Sequence, residues 1–254
     1  MNKISTKTNN KIIKEIRNIL ITTLENYSDE ELIKLPYDSN FIKEILFNKD
    51  KDNNYIFINE LENIYRKIDF SNISFDNVMV INKDLSKYHN IFINPKTIGK
   101  KSLYGSIVEN VTFIGNFDDV DIRFTNFRKS HNANVNQQRI KYKSLYGTVA
   151  EDVTFERGFN HIDIRYTNFT GSKNAIINPE KVKLQSLEGT ICDSVLFIGS
   201  FVKTNCKKTD FNNSRNASIY IRTIIYDEDT NFTSTTLYKN NKILQRSLLC
   251  KKEN

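Results

Sequence analysis

From Ile98 onward the large apolar residues recur every five positions, a spacing that belongs to neither a helix at 3.6 nor a strand at 2.0. Ile98, Leu103, Val108 and Phe113 form one series, and Phe117, Ile122 and Phe127 begin the next. Two places before most of them stands a smaller or β-branched residue: Ser106 before Val108, Val111 before Phe113, Val120 before Ile122, Thr125 before Phe127. A residue and its second neighbour point to the same side of an extended chain, so each block can bury two side chains and then turn. Four such blocks would close a square coil of about twenty residues.

The pattern itself repeats. "KSLYGSIVENVTFIGNF" from Lys101 returns as "KSLYGTVAEDVTFERGF" from Lys143 and as "QSLEGTICDSVLFIGSF" from Gln185, each 42 positions on without insertion or deletion. Leu103, Leu145 and Leu187 share a column, as do Phe113, Phe155 and Phe197, and Phe127, Phe169 and Phe211. A one-residue slip would turn polar side chains inward, so the constant spacing preserves register.

The position before the core residue is often Asp or Asn, as at Asp121, Asn126, Asp163, Asn168, Asn205 and Asp210. Blocks such as "VDIRF TNFRK" at 120–129, "IDIRY TNFTG" at 162–171 and "TNCKK TDFNN" at 204–213 resemble the pentapeptide-repeat family, with a looser match in "IDFSN ISFDN" at 68–77. The resemblance covers roughly residues 68–219. It implies a mainly β fold, a right-handed quadrilateral β-helix solenoid, here with an N-terminal α-helical cap. About eight coils at a rise near ~4.8 Å would make a rod on the order of 40 Å long. Lys101 and Lys143 depart from the family pattern, and corners near Pro95, Gln137 and Pro179 add residues at a turn.

Residues 1–67 read as a helical cap or small domain. "NKIIKEIRNILITTLENY" places Ile13, Ile16, Leu20 and Leu24 on one face. Ser28 with Glu31 forms a capping box before "ELIKL", which Pro36 stops. "NFIKEILF" and "YIFINELENIYRK" read as two further short helices. Residues 220–254 read as a second cap, with a closing strand or two and a short helix around 240–250. A homodimer contact through a terminal cap is a further expectation.

Charge changes this picture more than composition does. Residues 1–67 carry 11 basic and 11 acidic side chains, so the excess of a chain with formal net charge +7 lies in the repeats. Arg123, Arg165 and Lys207 fall in one outward column, with Lys203 and Lys208 close by in the last unit. The column points to a binding face for an acidic partner, through attraction that salt screens. The neighbouring Asp121, Asp163 and Asn205 leave a second reading open, a surface that neutralises itself. Tyr104, Tyr146, Phe124 and Tyr166 are candidate contact anchors.

Catalytic groupings are not evident. His89, His131 and His161 occupy unrelated repeat positions, and no cluster has metal-ligand spacing, so neither cofactor nor metal is expected. Cys192, Cys206 and Cys250 cannot all pair, and the first two read as small buried hydrophobes. Glu15 interrupts the only apolar stretch near Met1, which predicts a cytoplasmic protein unless another route exports it. No apolar run reaches the length of a membrane span.

The leading expectation is a non-catalytic binding protein that offers a rigid surface to a macromolecule, either a protein or a protein–nucleic acid complex. The alternative is an inhibitor of a nucleic-acid enzyme of topoisomerase or nuclease type. The family resemblance implies that alternative, since its best-known members shield DNA gyrase by imitating duplex DNA. Mimicry needs an acidic surface, so here inhibition would act by occlusion or by binding nucleic acid. A host-directed bacterial effector is the third reading.

Overall fold

The computed structural model describes residues 6–24, 33–35, 39–240 and 242–245. The expected capping box at Ser28 and Glu31, the stop at Pro36, and Cys250 lie outside the described residues.

At the N-terminus, helix α1 (Thr6–Leu24) packs against helix α2 (Ser39–Leu46). Helix ends leave carbonyls without intrahelical partners. Arg17 of α1 answers that need at the end of α2, donating Nε to the Ile45 carbonyl at 2.6 Å and Nη2 to those of Glu44 and Phe47 at 2.8 and 2.9 Å. Strand β1 (Ile33–Lys34) pairs in parallel with β4 (Ile68–Asp69), and β2 (Phe47–Lys49) pairs antiparallel with β3 (Tyr55–Phe57).

The expected helix over "YIFINELENIYRK" needs correction. Its first residues are strand β3, followed by a 3-10 turn at Asn59–Leu61, and only Glu62–Tyr65 is α-helical (α3). The cause is the turn before it. Asp50 accepts the backbone N–H of Asp52 and Asn54, Asn53 is left-handed at φ 67°, and the chain reverses so that Tyr55–Phe57 lie against β2. Tyr65 closes this region from within, fully buried, its hydroxyl donating to the Leu46 carbonyl and accepting the Ile58 N–H. Lys43 of α2 is buried too, and its ammonium donates to the Asp76 carbonyl at 2.6 Å.

The quadrilateral β-helix expected of residues 68–219 is not the architecture observed. Strand structure is confined to small sheets: β5 (Phe92–Ile93) with β6 (Thr112–Phe113), β7 (Asn134–Val135) with β8 (Thr154–Phe155), and β9 (Ile176–Ile177) with β10 (Leu196–Phe197). A final sheet joins β11 (Ser218–Tyr220), β12 (Thr236–Lys239) and β13 (Lys242–Gln245). Each sheet has two or three strands, and no described strand exceeds four residues. The fold is a set of mixed small sheets with helices and 3-10 turns. The physical reason lies at the corners. Asn110, Asp119, Phe124, Lys129 and Asn132 all have φ between 55° and 60°, so the backbone leaves the extended region before a strand can lengthen.

Register is held nonetheless, by isolated parallel bridges. Ile107 pairs with Asn126, Asn126 with Val149, Val149 with Asn168, Asn168 with Ile191, and Ile191 with Asp210. Corresponding residues therefore stand side by side. Phe127, Phe169 and Phe211 are all fully buried, each in a trio with the same spacing: Phe113–Phe117, Phe155–Phe159 and Phe197–Phe201 have ring centroids 5.0 Å apart. Cys192 and Cys206 are buried free thiols, and burial pushes Cys206 up to about 12.

Two sets of buried hydroxyls behave differently. Thr125, Thr148, Thr167, Thr190 and Thr209 each donate across to a carbonyl of a neighbouring segment, Thr167 to Leu145 at 2.8 Å. Ser130, Ser172 and Ser214 are buried without a partner among the described residues. The bridges Thr112↔His131, Thr154↔Lys173 and Leu196↔Arg215 set them beside Val111, Val153 and Val195, whose side chains accept nothing. Thr167→Val should therefore cost about 1 kcal/mol, and Ser172→Ala should be neutral or stabilising. Urea midpoints of the two variants decide the point; equal losses would contradict it.

The expected C-terminal helix around 240–250 is also corrected within the described part. Asn240 adopts φ 50°, the chain reverses, and Lys242–Gln245 return as antiparallel β13 beside β12. Tyr220 and Tyr238 stack across this last sheet at 5.0 Å.

Candidate functional site

The bridges Ser102↔Asp121, Ser144↔Asp163 and Ser186↔Asn205 lay successive segments against one another on one side of the repeats. Two places further along, Tyr104, Arg123, Tyr146, Arg165, Glu188 and Lys207 follow one another. Next to them run Gly105, Phe124, Gly147, Tyr166, Gly189 and Lys208, and the backbone bonds Gly147 N–H to Arg165 C=O and Tyr166 N–H to Glu188 C=O hold the order.

Both arginines are clamped. Arg123 donates Nε to Asp121 Oδ1 at 2.9 Å and Nη2 to Oδ2 at 2.8 Å, and Arg165 makes the same pair of bonds to Asp163 at the same distances. The two carboxylates are buried while the guanidinium groups stay partly exposed. Burial alone would push the Asp163 carboxyl up, but the Arg165 bonds outweigh it and hold it below the usual carboxylate range. The Asp121 bonds likewise raise the Arg123 guanidinium.

Around these chelates the aromatic rings form a continuous strip. Tyr104–Phe124, Phe124–Tyr146 and Tyr146–Tyr166 have centroids 5.3 Å apart, mostly edge to face. Arg123 lies 5.4 Å from the Tyr104 ring and 4.3 Å from that of Tyr142, and Arg165 lies 5.3 Å from Tyr146. Glycine makes room for the rings: a Cβ on Gly147 would come within 2.4 Å of Phe124, and one on Gly189 within 2.3 Å of Tyr166, both at positive φ. Tyr166 ends the strip by donating its hydroxyl to Glu188 at 2.8 Å.

The five cations read from the sequence do not form one uniform ladder. Arg123 and Arg165 belong to the strip, each tied to its own aspartate. Lys207 follows Asn205, whose amide oxygen accepts the Lys207 N–H at 3.1 Å and offers no countercharge. Lys207 and Lys208 are exposed, beside Asp227, whose carboxylate accepts the Lys208 N–H at 2.9 Å and is lowered by that bond first and by the two lysine charges after it. Lys203 lies on another edge, its N–H bonded to the Thr223 carbonyl at 2.7 Å.

Tyr142, 57% exposed, escaped the sequence reading. Its column, Lys100, Tyr142 and Leu184, was visible at the 42-residue spacing. The fold-back of each at φ 54–59°, which lays Tyr142 over Arg123, was not.

Among the described residues, no three His, Cys, Asp or Glu side chains gather as a metal-binding group, and no helix is long and apolar enough to cross a membrane. No family model matches this chain, and no curated protein matches it.

Proposed function

We propose that this chain is a non-catalytic interaction protein whose aromatic and arginine strip docks a macromolecular partner, in the first instance a protein. The observation that carries this reading is the strip itself. Phe124, Tyr142 and Tyr166 are 44%, 57% and 40% exposed yet held by ring contacts, guanidinium contacts and glycine cradles. Tyr and Arg are the residue types that dominate binding hot spots, and side chains already ordered lose little entropy when a partner arrives. Adjacent centroids at 5.3 Å also leave no slot for an inserted base, which needs about 6.8 Å, two stacking distances.

The chelated arginines contribute shape and ring contact here more than free charge. An acidic character of the partner rests on Lys207 and Lys208 at the end of the strip. The resemblance of residues 68–219 to pentapeptide-repeat sequences supports a binding role. The test compares wild type with Phe124→Ser/Tyr142→Ser/Tyr166→Ser as baits in lysate of the native cell, after melting curves show both folded. A protein retained by wild type and lost from the triple variant is expected; equal retention would refute the assignment of the strip.

A further inference from the structure

We propose that a second surface, the edge carrying Lys141, Lys143, Lys181, Lys183, Lys203 and Arg222, binds the phosphate backbone of a nucleic acid without reading its sequence. Backbone bonds set the order along this edge. Asp163 N–H reaches the Lys143 carbonyl at 3.0 Å, His161 N–H the Lys181 carbonyl at 2.7 Å, Lys183 N–H the Ile162 carbonyl at 3.0 Å, and Lys203 N–H the Thr223 carbonyl at 2.7 Å. The edge therefore steps from the 3-10 turn at Lys141–Lys143 through His161 to the turn at Lys183–Gln185, then through Lys203 to the turn at Ile221–Thr223.

Paired segments lie ~4.8 Å apart, so four steps span about 19 Å. Six cations over that length give one per ~3 Å, against one phosphate per 3.4 Å along each strand of a duplex. Matching linear charge density is what a polyanion backbone requires.

The six are available. Lys143, Lys181, Lys183, Lys203 and Arg222 are exposed, and Lys141 sits half-buried with its ammonium 5.4 Å from the Tyr142 ring. None makes an ion pair with a described residue within 4.0 Å. The nearby carboxylates are engaged elsewhere, Asp118 with Lys96 and Arg139, Asp119 with Lys101, and Asp163 with Arg165 first and the Lys183 charge after it, while Glu180 flanks the second turn. Five of the six are lysines, suited to point-charge contact with phosphate rather than to bidentate base reading. Carboxylates on a folded protein seldom continue at even spacing over such a length; phosphates must.

The inference does not depend on the aromatic strip, and its test leaves the strip intact. Fluorescein-labelled 20-base-pair duplex and 20-nucleotide single strand are titrated with wild type between 50 and 200 mM salt. Saturable binding to at least one is expected, weakening steeply with salt. Lys143→Gln/Lys183→Gln/Lys203→Gln should weaken binding at least tenfold at 50 mM and make the salt slope shallower by about 2–3. Lys87→Gln/Lys129→Gln/Lys173→Gln removes the same charge from other positions and should keep the slope. Three results would overturn the proposal: no binding at 50 mM salt, a control as impaired as the edge variant, or a 20-residue polyglutamate bound as tightly as the nucleic acids.

Discussion

Phe169→Ala should lower the free energy of unfolding by about 3–5 kcal/mol, the cost of a large cavity in a core that cannot collapse around it. Phe169 is fully buried with Phe155 and Phe159 rings 5.7 and 5.5 Å away. Its own N–H is bonded to Ile191 at 3.0 Å and that of Asn168 to Thr148 at 2.9 Å, so the backbone is pinned on both sides. Inward relaxation would have to break those bonds. Urea unfolding followed by circular dichroism measures the loss, and an unchanged midpoint would mean that the Phe127, Phe169 and Phe211 column does not carry the core.

A far smaller edit should do nearly as much at the other end. Tyr65→Phe keeps the ring stacked on Phe47 at 6.0 Å and removes one oxygen atom. That oxygen serves two buried backbone groups, the Ile58 N–H and the Leu46 C=O, and neither can reach water once it is gone. An unsatisfied buried group costs about 1–3 kcal/mol, so the pair should lose about 2–4 kcal/mol. The expected signature is early loss of the α2–β2–β3–α3 region, read as faster amide exchange at Ile58 than at Phe169. Wild-type exchange at Ile58 in the variant would show that the hydroxyl is dispensable.

Much of the interior is legible in the sequence. The five-residue spacing names Leu103, Leu145 and Leu187 and the two phenylalanine columns, and it places Cys192 and Cys206 in the core; all are buried. Burial follows from periodicity because a side chain's direction depends only on local backbone. How far a strand extends depends on what the corner residues do with φ, and left-handed conformations at Phe124, Tyr166 and Lys208 are unusual choices for those residue types. The expected continuous architecture failed there. The same blind spot hid the site. Arg123 and Asp121 were visible as neighbours, but the chelate needs their side chains on the same side, and the Tyr142 contact needs the turn at Lys141–Lys143 to fold over Arg123. Composition carried "YIFINELENIYRK" toward helix, and the Asp50–Asn54 turn, a tertiary decision made outside that segment, took its first residues into β3.

The parallel bridges join residues only 19 to 23 positions apart along almost the whole repeat region, as from Ile107 to Asn126 and from Asn126 to Val149. In a chain of 254 residues that separation is roughly a tenth of the length or less, the relative contact order of helical bundles rather than of β-sandwiches. Each closure costs nearly the same loop entropy as the one before it, since that cost grows only with the logarithm of loop length. The search for native pairing is therefore short at every stage, and each segment can pair with its neighbour without closing a long loop.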